Sequence, residues 1–137
     1  MYDYSLKLFS KKLRKLGIKK GDTIYCHNNI GFFGIAKETS SKNIICKRIY
    51  NAIKSIIGAK GTLIVPTFTY SFSNNRNGIK FNNKEIFQKN TPTKMGIFSE
   101  WVRKHKSSSR SMDPFFSCSA IGKNKDLFLN SKTNNSF

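Results

Sequence analysis

Leu63-Ile64-Val65, entered through Thr62 and halted by Pro66, is a short apolar run with no polar residue alternating through it. Such a run reads as a buried strand, because a half-exposed strand would alternate and a helix needs a longer pattern. Thr23-Ile24-Tyr25-Cys26-His27 is a second β-prone run of this kind. Helical periodicity precedes each of them. Over residues 5–16, Leu6, Phe9, Leu13 and Leu16 recur at helical spacing, with Lys7, Lys11, Lys12, Arg14 and Lys15 between them. Ser5 is placed to cap that helix and Gly17 to stop it. Over residues 43–57, Ile45, Ile49, Ile53, Ile56 and Ile57 form one stripe, with Lys47, Arg48 and Lys54 off it. Buried strands need helices to cover them. The alternation therefore predicts a layered α/β fold.

The rest of the chain fits this order. Asn28-Asn29-Ile30-Gly31-Phe32-Phe33-Gly34 is a polar, glycine-containing loop at a strand end. Residues 71–94 are rich in Asn and turn residues and have no period, which predicts a long loop of the functional kind. Met95–Lys104 returns to helix, with Ile97, Phe98, Trp101 and Val102 on one face. Lys106–Ser109 reads as a loop, and Phe115–Ile121 as a third strand ended by Gly122. Residues 1–137 are a single domain's worth of chain.

The 25 Lys and Arg against 7 Asp and Glu leave a net charge of +18, which suggests a polyanionic partner. Its make-up argues against nucleic acid. Twenty of these cations are Lys and five are Arg, whereas base readout favours the planar Arg fork. The 14 Asn and 15 Ile point to an AT-rich coding bias behind the Lys excess. The basic residues are also spread along the whole chain. A phosphorylated cofactor would suit such a surface equally well. Cys26, Cys46 and Cys118 are too few and too scattered for a disulfide framework or a CxxC metal site, so no metal is expected. No apolar run approaches a membrane span, and Met1-Tyr2-Asp3-Tyr4 has no signal-peptide pattern. The sequence alone thus reads as a cytoplasmic protein with reduced thiols and no membrane partner.

Four segments carry a resemblance. Leu16–Ile30 contains LG, then GD, then His27-Asn28-Asn29-Ile30. Ile57–Thr69 reads IGAKGTLIVPTFT, Asn90–Arg103 reads NTPTKMGIFSEWVR, and Arg110–Gly122 reads RSMDPFFSCSAIG. In order and spacing these resemble the aminoglycoside 3-N-acetyltransferase (antibiotic N-acetyltransferase) family, with its HSSL, GTL-x-x-PTFT, TPS-x-MG and RS-x-HP segments. Asn28 and Asn29 stand where serines are usual, Asp113 where histidine often precedes proline, and Phe116 where a second histidine is common. The resemblance covers about residues 13–130.

That resemblance implies acetyl-CoA-dependent N-acetylation of an aminoglycoside or related amino sugar, an antibiotic-resistance chemistry. It also implies the partners, coenzyme A and the amino-sugar acceptor, and a set of site residues. Asn28, Asn29, Ile30 and Gly31 would cradle the donor, because a glycine-containing turn lets backbone amides approach phosphate. A tight connection is the alternative for this loop. Arg110 and Ser111 would add a phosphate contact, unless Arg110 is simply a surface residue. Asp113 would attract the cationic acceptor or else cap a turn.

Family members are about twice this length, and their catalytic base, a histidine with a glutamate three residues on, lies in the second half. Neither His27 nor His105 has that setting. The resemblance therefore implies the N-terminal half of a layered α/β/α sandwich with a mixed β-sheet, the sheet incomplete in this chain, with no catalytic residue within the chain and no activity for the chain alone. A basic nucleic-acid-binding module and a non-catalytic remnant are the alternative readings.

Overall fold

In the computed structural model, which describes residues 4–69 and 87–130, four strands form one mixed sheet. Its order is β1 (Thr23–Tyr25), β2 (Thr62–Pro66), β4 (Cys118–Gly122), β3 (Ser109–Arg110). β1 runs parallel to β2, with Thr23 opposite Thr62 and Tyr25 opposite Ile64. β4 is antiparallel to β2 and to β3. The chain reaches β2 from β1 through a 3₁₀ turn (Ile30–Phe33) and helix α2 (Lys42–Ile57). This is the crossover that parallel neighbours require.

The isoleucine stripe sets where α2 sits. Ile49, Ile53 and Ile57 are buried with Leu63 and Val65 of β2, Ile121 of β4, and Phe98 and Val102 of α3 (Ile97–Lys104). Strand alternation sends Leu63, Val65 and Ile121 to this face and Ile64 and Ala120 to the other, and all five are buried. The uninterrupted run 62–65 is thus a two-sided strand, and Pro66 closes it from within.

Helix α1 (Leu6–Lys15) packs on α2. The Ser5 hydroxyl caps it by accepting the Lys7 amide, and Gly17 (φ 84) follows its end. The Glu38 carboxylate adds a second cap, accepting from the Ser5 hydroxyl at 2.6 Å and from the Leu6 amide at 3.1 Å. A carboxylate there also complements the positive end of the helix dipole. It is held down to about pKa 2, first by the Ser5 hydroxyl and then by the Leu6 amide.

The structure also departs from the sequence reading. β1 ends at Tyr25 rather than His27, and β4 begins at Cys118, because Phe115 and Phe116 lie in a turn. Leu16 caps α1 and is exposed. β3 and a short helix α4 (Lys125–Leu129) have no sequence signal, since one is two residues long and the other buries none of its residues. Of the loop expected over 71–94, residues 71–86 lie outside the described residues, and the part from Phe87 is irregular. No helix among the described residues is long and apolar enough to cross a membrane.

Candidate functional site

The sheet topology collects four connections at one end. Parallel β1 and β2 end there, and antiparallel β4 begins there beside the end of β3. In open α/β sheets, ligands bind beyond the carboxyl ends of the parallel strands. A cleft of about 350 Å³ opens at this end, lined by His27, Asn28, Asn29, Lys94 and Met95. His27, Asn29 and Lys94 are exposed. The opposite wall comes close: a Cβ built on Gly96 would stand 3.9 Å from the Asn28 carbonyl oxygen.

The loop 28–31 is held as a turn. Asn29 Oδ1 accepts the Gly31 amide at 3.0 Å and caps the 3₁₀ turn. Ile30 drops its side chain into the core, so only its backbone is left to face a ligand. Asn28 Nδ2 donates to Cys26 Sγ at 3.0 Å, and Asn28 Oδ1 is buried without a hydrogen-bond partner among the described residues. Burial raises the Cys26 thiol pKa, against the lowering effect of that Asn28 bond.

Arg110, the expected phosphate contact, turns inward. Its side chain is buried, and its five N–H groups are all engaged. Nη2 donates to the Thr67 carbonyl at 2.5 Å and to Ser117 Oγ at 3.1 Å. Nη1 donates to the carbonyls of Thr91 and of Lys89, and Nε donates to Ser117 Oγ. The Phe87 ring lies 4.8 Å from the guanidinium carbon. No N–H is left for a phosphate, so the sequence expectation gives way to an inward-facing role. Burial lowers the pKa of this guanidinium to about 10, aided by nearby Arg103 and opposed by Glu100.

Ser111 continues the β3–β4 pairing. Its amide donates to the Cys118 carbonyl, and its hydroxyl accepts the Cys118 amide, both at 2.9 Å. Asp113 Oδ1 accepts the Phe115 and Phe116 amides at 2.8 Å each, which is the turn role weighed from the sequence. The structure therefore brings Asn28 and Asn29 to the cleft, does not place Ile30 or Gly31 in its lining, and uses Arg110, Ser111 and Asp113 to shape the neighbouring connections.

Sequence reasoning missed Lys94, an exposed cation in the cleft wall. Its segment is fixed by three hydrogen bonds to two partners. The Lys94 amide and the Thr93 hydroxyl both donate to the Phe68 carbonyl at 2.9 Å. The Thr93 amide donates to Glu100 at 3.1 Å. Burial alone would raise the Glu100 pKa, but hydrogen bonds from Arg103, Thr93 and Lys104 hold it at about 2. The two histidines differ. His27 stands in the cleft, whereas His105 caps α3 and packs against Tyr50 and Trp101 with ring centroids 5.2 and 5.4 Å away.

Residues 37–136 match the family described as aminoglycoside 3-N-acetyltransferase. No curated protein sequence matches the chain. Among solved structures, the chain resembles YokD from Bacillus subtilis, with a TM-score of 0.71 and 23% identity over 91% of this chain and 53% of that one. It resembles AAC-IIIb, solved as a binary complex with CoASH, at 0.71 and 18% over 93% and 49%. It resembles sisomicin-bound AAC-VIa at 0.72 and 16% over 94% and 50%. At these identities the likeness establishes the fold. The chain spans about half the length of the structures it matches.

Proposed function

The chain belongs to the aminoglycoside 3-N-acetyltransferase family, and on that premise we propose that residues 1–137 form the donor-binding, N-terminal half of an acetyl-CoA-dependent N-acetyltransferase. Its acceptor is an aminoglycoside or a related amino sugar, and the acetylation confers antibiotic resistance in the cytoplasm. The acceptor amine attacks the thioester carbonyl, an N–C bond forms as the C–S bond breaks, and coenzyme A leaves as the thiolate. The amine proton passes to a base. No residue of this chain is assigned as that base, and the chain alone does not turn over.

One observation carries the reading. The cleft lies beyond the carboxyl ends of β1 and β2, with Asn28 and Asn29 of the 28–31 turn on one side and the Lys94 cation on the other. Pantetheine and pyrophosphate ask for hydrogen-bonding groups and positive charge at close quarters. The donor is therefore held by the 28–31 turn and by Lys94. Arg110 and Ser111 support the surrounding connections, and Asp113 shapes the turn on the acceptor side. The CoASH complex of AAC-IIIb and the sisomicin complex of AAC-VIa support the choice of donor and acceptor classes.

Calorimetric titration of coenzyme A into the chain tests this. Saturable binding with Kd below about 1 mM is expected, which corresponds to roughly 4 kcal/mol. A flat isotherm at millimolar ligand overturns it. Tight duplex DNA binding that collapses with salt would favour the basic-module reading instead.

A further inference from the structure

We infer that Arg110 is a positioning residue of the donor cleft, a buried pin that sets the wall carrying Lys94 and Met95. The inference rests on the reading of that cleft as the donor site. Arg110 leaves the edge strand β3, yet its bonds go to three other parts of the chain. They reach the Thr67 carbonyl just past β2, the Lys89 and Thr91 carbonyls of the following segment, and the Ser117 hydroxyl at the entry to β4. Ser117 Oγ in turn donates to the Thr67 carbonyl at 2.8 Å, and the Thr67 amide donates to the Ser117 carbonyl at 2.8 Å. One guanidinium thus ties residues 89–91 to the end of the sheet.

A few residues further on, Thr93 and Lys94 bond to the Phe68 carbonyl, and Lys94 and Met95 then face His27, Asn28 and Asn29 across the cleft. Only a planar fork with five donors serves three separated carbonyls and a hydroxyl together, so an ammonium of equal charge does not substitute. Among the described residues, no carboxylate is hydrogen-bonded to Arg110. Its charge is met by carbonyl dipoles and by the Phe87 ring, an arrangement that orders backbone without an ion pair.

Coenzyme A affinity and amide hydrogen exchange of the full chain test the inference in the wild type, in Arg110→Lys and in Ser117→Ala. Ser117→Ala removes the acceptor shared by Nε and Nη2, and serves if Arg110→Lys does not fold. The expected result is at least tenfold weaker coenzyme A binding in the variants. Faster exchange of the Lys94 and Met95 amides should accompany it, with exchange in α2 and β2 unchanged. Millimolar guanidinium should restore part of the affinity of Arg110→Gly. A wild type that does not bind coenzyme A overturns the donor reading, and this inference falls with it. A wild type that binds, with folded variants that bind equally well and protect Lys94 equally, overturns the pin alone.

Discussion

Gly122 stands so close to Gly61 that a Cβ on Gly122 would lie 2.3 Å from the Gly61 carbonyl oxygen. Gly122 also has φ 143, a conformation that side chains rarely adopt. This contact lets β4 pair with β2 at the Thr62–Gly122 register and seats Thr62 beneath it. Gly122→Ala should destabilise the fold by about 2 kcal/mol through overpacking and backbone strain. A urea midpoint lowered at constant slope would bear this out, and an unchanged midpoint would show that the strands slide apart freely.

Phe98 joins α3 to the isoleucine stripe of α2 and is almost wholly buried. Phe98→Ala leaves a cavity between helix and sheet and should cost about 3–5 kcal/mol. Chemical denaturation measures this, and a loss under about 1 kcal/mol would mean that the core collapses onto the gap.

Acid should loosen the molecule through two carboxyls. Glu38 and Glu100 both have folded pKa values of about 2, against an ordinary value of 4.5. Each therefore contributes stability that is fully present above pH 4.5 and is lost as the pH falls toward 2. Thermal midpoints measured across that window should decline. In Glu38→Gln the midpoint should start lower at neutral pH and decline less, because α1 has lost its second cap.

Trp101, the single tryptophan, should report on His105. Its indole N–H donates to Asn43 Oδ1 at 2.7 Å while its ring packs on the imidazole. His105 Nδ1 accepts the Ser107 amide. Burial, and secondarily Lys106, lower the His105 pKa below its usual 6.5. Fluorescence quenching by the imidazolium should thus have its midpoint below pH 6.5. The unfolded chain takes up that proton first, so this site withdraws stability as the pH falls through 6.5. A midpoint at or above 6.5 contradicts the packing.

Lys94→Glu reverses the charge in the cleft wall and should weaken coenzyme A binding roughly tenfold, about 1.4 kcal/mol. Added salt should shrink the difference between the two proteins. Equal affinities would remove Lys94 from the donor site.

Much of this architecture is legible along the chain. The stripes of α1 and α2 and the unbroken run at Leu63-Ile64-Val65 state which faces are buried, because 3.6-residue and two-residue periods are local properties. The position of the 28–31 loop at a strand end is equally local. β3 is not legible, since a two-residue strand exists only by pairing with β4. Lys94 carries no signal, because its wall of the cleft is built by contacts with Phe68 and with the Asn28 region.

Arg110 marks the boundary between the two kinds of information. Its place in a motif beside Ser111 suggests a phosphate ligand, because arginine near a polar loop is more often outside than in. Its acceptors lie 43, 21 and 19 residues away at Thr67, Lys89 and Thr91. Nothing local encodes such a set. The sequence by itself determined the α/β layering, the buried strands and the loop at the sheet end, since these follow from periodicity and turn chemistry. Only the tertiary structure decided which cation faces the cleft and which is buried, since a guanidinium turns inward only where the fold has assembled acceptors for its donors, here three carbonyls and the Ser117 hydroxyl.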